Sequence, residues 1–157
     1  MKLHKLIVLF AIPFFYVSMA TAQEKAIEKL GKVDFPISCT PEAQAQFNRA
    51  VAMLHSFWFP QAPKAFAAVS EIDPDCAMAH WGIAISQRAN PLVGAPEAAA
   101  LQRRLASVEK AKAIGAKTQR ERDYIHAIEL FYKDFDKLDH RTPVLAYEKA
   151  MERLYLA

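Results

Sequence analysis

From residue 40 onward the apolar positions of the chain recur at intervals of three and four, the spacing of one face of an α-helix. Phe47, Ala50, Val51, Met53, Leu54 and Phe57 follow it first. Thr40-Pro41-Glu42 supplies a start: Thr caps, Pro takes the first helical position, and Glu suits the positive end. A first helix is therefore predicted from 40 to about 57. Pro60 marks a turn, and Ala62, Ala65, Phe66 and Val69 give a second helix to about 72, with Pro63 tolerated in its first turn. Asp73-Pro74 stops that helix. Asp75 is the predicted cap of a third, running from 77 to about 88. Residues 90–96 hold two prolines and a glycine and read as a loop. Leu101, Leu105, Val108 and Ala111 share one face of a fourth helix over 97–114, which Gly115 ends. Thr118 and Glu121 have capping-box spacing and open a fifth, with Tyr124, Ile125, Ala127, Ile128 and Phe131 as its stripe. After a polar connection over 134–141, Thr142-Pro143 repeats the Thr40-Pro41 device and opens a sixth helix through 154. The predicted fold class is all-α, six helices in three pairs and no strand.

Within this frame residues 47–84 carry a more specific pattern. Phe47-x-x-Ala50-x-x-Met53 is followed by Ala62-x-x-x-Phe66-x-x-Val69, then Asp73-Pro74, then Ala77-x-x-His80-Trp81-Gly82-Ile83-Ala84. Small residues fall where two helices must touch, and Ala50 and Ala84 stand 34 residues apart. The pattern resembles the tetratricopeptide repeat, whose period is about 34 residues. The first repeat, about 43–76, places Ala50, Ala62, Phe66, Val69 and Pro74 at the family's small, small, aromatic, small and proline positions. Phe57 replaces the glycine or polar residue common near the turn. The second repeat begins with His80, Ile83 and Ala84 in register and is then displaced by the insertion at 90–96. The resemblance implies a helical-hairpin solenoid over 40–157, with Ala50, Ala62 and Ala84 at close helix contacts and Gln44 on the solvent side. It also implies a concave groove lined by the first helix of each pair: Phe47, Val51, Leu54 and His55 from one repeat, Met78, Trp81, Ile85 and Arg88 from the next. Such a surface suits a peptide or helix of a partner. The competing assignment puts Phe47, Leu54 and Trp81 in the core, partly covered by residues 32–38.

The first residues follow a different logic. Lys2 and Lys5 precede an uncharged run over residues 6–17, and Ala20-Thr21-Ala22 has signal-peptidase spacing. These parts match a secretory signal peptide over 1–22, with cleavage between Ala22 and Gln23; the run is shorter than the ~20 residues a spanning helix needs. Residues 23–39 then form a leader and entry segment, extended around Phe35-Pro36. The formal charge of +3 includes Lys2 and Lys5, so the processed chain holds 18 basic against 17 acidic residues. That balance gives no nucleic-acid face. Cys39 and Cys76 are the only cysteines. An oxidising compartment favours a disulfide between them, and two buried free thiols are the alternative. No polar capping helix follows Tyr155-Leu156-Ala157, so a further repeat or a subunit is expected to cover that end.

Candidate chemistry is sparse. Gly-x-Ser-x-Gly, His-Glu-x-x-His and glycine-rich phosphate loops do not occur, so no catalytic residue, metal or cofactor is assigned. His55, His80, His126 and His140 survive processing, but none forms a His-x-x-x-His pair on one helix. Arg103-Arg104, Glu109-Lys110 and Arg120-Glu121-Arg122 read as solvated helix faces. The function expected is an exported, periplasmic or secreted interaction scaffold for a protein or peptide partner. The rivals are a metal- or haem-associated accessory protein using His55 and His80, and a repeat segment of a larger multidomain protein.

Overall fold

The computed structural model describes residues 29–88, 98–134, 139 and 141–157. The expectations for the signal peptide, the Ala22–Gln23 cleavage, the loop over 90–96 and His140 lie outside the described residues. Six α-helices and no strand occur among those described: α1 (Pro41–His55), α2 (Ala62–Ile72), α3 (Ala77–Ser86), α4 (Ala98–Ile114), α5 (Gln119–Tyr132) and α6 (Arg141–Leu156). Each helix packs on its neighbour in sequence; α3 also touches α1 and α5, so it sits at the centre. No helix among the described residues is long and apolar enough to cross a membrane.

Small residues set the helix spacing. Ala50, Ala62 and Ala84 are all fully buried, as close contact requires. A close approach also occurs at Gly82, where an added β-carbon would stand 2.1 Å from Cδ1 of Phe66. The flat face of the Phe66 ring thus lies directly on the α3 backbone. Phe47 meets the same ring edge-on at 5.3 Å between centroids, which locks α1, α2 and α3 around one aromatic pair. Farther along, the Tyr132 hydroxyl donates to the Ala84 carbonyl at 2.9 Å and fastens the end of α5 to the last turn of α3. Burial raises the Tyr132 phenol well above its ordinary range, so it stays a neutral donor.

The helix ends show where local chemistry agrees with the sequence and where it departs. Thr40 caps α1 through Ala43 N–H, and Thr118 and Glu121 form a reciprocal capping box on α5. Gly115, at φ 83°, ends α4 in the left-handed region. Two expected caps are displaced. Cys76, not Asp75, precedes α3; the Asp75 amide donates to the Asp73 carboxylate at 3.2 Å. Thr142 lies inside α6. Its amide and that of Arg141 are both received by Asp139, whose carboxyl is held below its usual range first by the Thr142 hydroxyl at 2.7 Å and then by the amides. At the end of α1, Phe57 N–H bonds the Leu54 carbonyl and Trp58 N–H bonds Met53, a Schellman turn. Its left-handed position holds Phe57 at φ 57° where glycine is usual.

Cys39 and Cys76 are joined, with α-carbons 5.3 Å apart. The bridge ties the residue before α1 to the residue before α3. The Thr40 amide reinforces it by donating to Asp73 at 2.9 Å.

A helical face with an extended segment across it

The residues expected to line a groove do not share one open surface. Val51, Met78 and Trp81 are buried, Leu54, Ile85 and Arg88 are half-buried, and His55 is exposed. Trp81 belongs to the core, at 7% exposure, and the reason is residues 32–38. That segment is extended and lies over α1, α3 and α5. Its side chains alternate as in a strand: Val33, Phe35 and Ile37 turn inward, while Lys32, Asp34 and Pro36 face out.

Phe35 is the inward anchor. Its ring lies 5.5 Å from Phe47 on α1, 5.6 Å from Trp81 on α3 and 5.1 Å from Tyr124 on α5. The Arg120 guanidinium covers it at 4.5 Å and reaches Tyr124 at 5.0 Å, a cation–π arrangement. The backbone is held by side chains. Asn48 Oδ1 accepts Phe35 N–H at 3.1 Å. Gln44 uses both ends of its carboxamide, donating to the Phe35 carbonyl at 2.8 Å and accepting Ile37 N–H at 2.8 Å. Arg120 donates to the Pro36 carbonyl at 2.8 Å. Glu121, only 2% exposed, accepts both the amide and the hydroxyl of Ser38 at 2.5 Å. Gln44 is therefore an anchoring residue, not the solvent-facing one that the repeat resemblance implies.

Beyond Phe35 the same side of the molecule stays open. Ile85 from α3, Arg88 just beyond its end, Ile128 and Phe131 from α5, and Val144 and Tyr147 from α6 line an apolar pocket of about 260 Å³. The Arg88 guanidinium stands 5.3 Å over the Phe131 ring, and Phe131 meets Tyr147 edge-on at 5.7 Å. The pocket thus offers apolar walls and one cation.

Arg104, which the sequence places on a solvated helix face, is instead buried. It falls in the buried stripe of α4 and sets its guanidinium 5.7 Å over the Tyr132 ring. Burial lowers its pKa from the usual value. His80 is buried in α3, with its imidazole pushed below the ordinary range by desolvation and, secondarily, by Lys110. His126 is exposed and faces Glu129 at 3.4 Å. No group of three or more His, Cys, Asp or Glu that could hold a metal occurs among the described residues. Phe57, 71% exposed, meets Phe59 edge-on at 5.8 Å beside the half-exposed Trp58, forming an aromatic tip on the α1–α2 turn.

No protein-family model, curated protein or solved structure matches the chain.

Proposed function

We propose that this chain is an exported helical-hairpin array of the tetratricopeptide type that binds a peptide or helix of a partner protein. The array reading is supported by the buried alanines at positions 50, 62 and 84 and by the contact of α3 with both α1 and α5. Export is supported by the Cys39–Cys76 bridge, which suits an oxidising compartment, and by the signal-like start of the sequence. N-terminal sequencing of the exported protein should begin at Gln23; a product that retains residues 6–17 would remove that support.

The observation that carries the binding role is the pocket beside Arg88. Apolar walls from three helices with a single cation at the edge fit an apolar side chain flanked by an acidic one. The histidine reading has no comparable support, since His80 is buried and His55 is exposed on another helix. The test is selection of random peptides displayed on phage against the purified protein. Enriched sequences should pair an aromatic or aliphatic residue with Asp or Glu. Arg88→Ala should weaken them at least about tenfold, the scale of a lost charge-assisted contact, with unchanged thermal melting. Enriched peptides that bind Arg88→Ala as well as wild type would refute the assignment.

A further inference from the structure

The segment over 33–38 has the features of a bound peptide and not of a core element. Its side chains alternate inward and outward, as in an extended ligand whose alternate residues enter pockets. Its backbone bonds go to side chains: Phe35 to Asn48 and Gln44, Pro36 to Arg120, Ile37 to Gln44, Ser38 to Glu121. None of these is a helix backbone bond, so the segment can leave without breaking the ladder of any helix. Its downstream end is fixed separately, by the Cys39–Cys76 bridge and the Thr40–Asp73 hydrogen bond.

We propose that the face built from α1, α3 and α5 is a site for an extended peptide with an aromatic–proline–aliphatic core, and that residues 33–38 occupy it in cis. The Phe47, Trp81 and Tyr124 rings receive the aromatic residue, Arg120 covers it, and Gln44 and Asn48 read the backbone on either side. Proline costs this site no hydrogen bond, because the amides received there belong to Phe35, Ile37 and Ser38, and Pro36 takes part through its carbonyl alone. The inference extends the peptide-binding reading but uses a different part of the face from the Arg88 pocket. A tethered occupant has an effective concentration on the order of millimolar for a short link. A peptide in trans must therefore outcompete the protein's own segment.

The test uses the full chain and a fluorescent peptide of residues 32–38. Phe35→Ala empties the aromatic site. The labelled peptide should bind this variant saturably and bind wild type at least about tenfold more weakly, as cis competition requires. Adding Asn48→Ala should weaken binding again, and a peptide with alanine in place of its own Phe should bind neither protein. A Phe35→Ala variant with native helix content that ignores the peptide, or binds it no better than wild type, would overturn the proposal. Should Phe35→Ala fail to fold, hydrogen exchange on wild type decides. The amides of Phe35 and Ile37 should exchange by local release, ahead of the interior of α1. Exchange of those amides only with global unfolding would make the segment part of the core and sink the idea. A failed peptide with Arg88-dependent phage selection intact would leave the proposed function standing without its cis occupant.

Discussion

Substituting Gly82 by alanine asks whether helix propensity or packing decides stability at the centre of this fold. Gly82 lies inside α3, and in an exposed helix Gly→Ala would stabilise by about 1 kcal/mol. Here the added methyl would meet three carbons of the Phe66 ring at 2.1, 2.4 and 2.4 Å, where carbon atoms normally rest ~3.5–4.0 Å apart. Either the ring or the helix axis must give by more than an ångström. The ring has little room, because it is fully buried and Phe47 stands 5.3 Å away on another side. Overpacking of this kind costs about 1–3 kcal/mol and occasionally more. Direct backbone-to-ring contact argues for the upper part of that range. After the gain in propensity, Gly82→Ala should lose about 1–2 kcal/mol net. The assay is urea unfolding followed by far-ultraviolet circular dichroism, with the slope unchanged and the midpoint lowered. In a Phe66→Leu background the overlap is relieved, so the same substitution should become neutral or stabilising, a coupling that a double-mutant cycle reads directly. A wild-type background in which Gly82→Ala stabilises by about 1 kcal/mol would refute the close approach of α2 and α3.

Three further expectations follow from other parts of the molecule. The bridge spans 37 residues of sequence, so the Cys39→Ala/Cys76→Ala double variant should lose roughly 4 kcal/mol in the chain-entropy estimate. It should melt roughly 10–20 °C lower, and an unchanged melting temperature would show that the bridge does not constrain the fold. Phe57→Gly relieves a left-handed conformation in an L-residue and should stabilise by about 1 kcal/mol; a comparable loss in chemical denaturation would mean that the exposed ring itself holds the turn. Because burial lowers the pKa of His80, the unfolded chain takes up its proton first as pH falls. The His80 contribution is then flat above about pH 7 and becomes destabilising below the unfolded value of ~6.5. Urea midpoints at pH 7.5 and 5.5 should differ less in His80→Asn than in wild type, and equal differences would remove His80 as the cause.

The helices were legible because their evidence is local. The period of three and four, the Thr40-Pro41 start, the Thr118–Glu121 box and Gly115 each specify an element without reference to the rest of the chain. The cysteine pair was favoured by compartment and confirmed by position. Errors arose where a neighbour far along the chain decides the outcome. Arg104 and Leu105 both fit the α4 stripe, and only the ring of Tyr132, 28 positions away, explains why a guanidinium is acceptable at the buried one. Glu121 carries a capping signature that reads equally well on a solvated surface. Its burial comes from Ser38, 83 positions earlier. Asp139, and not Thr142, receives the first amides of α6, because a carboxylate can take two amides at once, which the Thr-Pro pattern does not reveal.

The face built from α1, α3 and α5 shows the same division in its sharpest form. The repeat resemblance puts Phe47 and Trp81 on one side, and both touch Phe35. Periodicity states which residues share a side but not what covers that side, and this distinction separates a groove from a core. The sequence offered a clue in Phe35-Pro36-Ile37, an aromatic and an aliphatic residue two apart in a segment proline keeps extended. Nothing local says that such a segment folds back over α1, α3 and α5 and not out into solvent. The deciding partners are Gln44 and Asn48, one helical turn apart on α1, whose carboxamides offer a donor and two acceptors to an extended backbone. A polar pair at that spacing on an otherwise apolar face is ordinarily read as the solvent edge of the helix. In this chain it is the seam along which the leading segment attaches, and the part of the face beyond that seam, at Ile85 and Arg88, is where the open pocket lies.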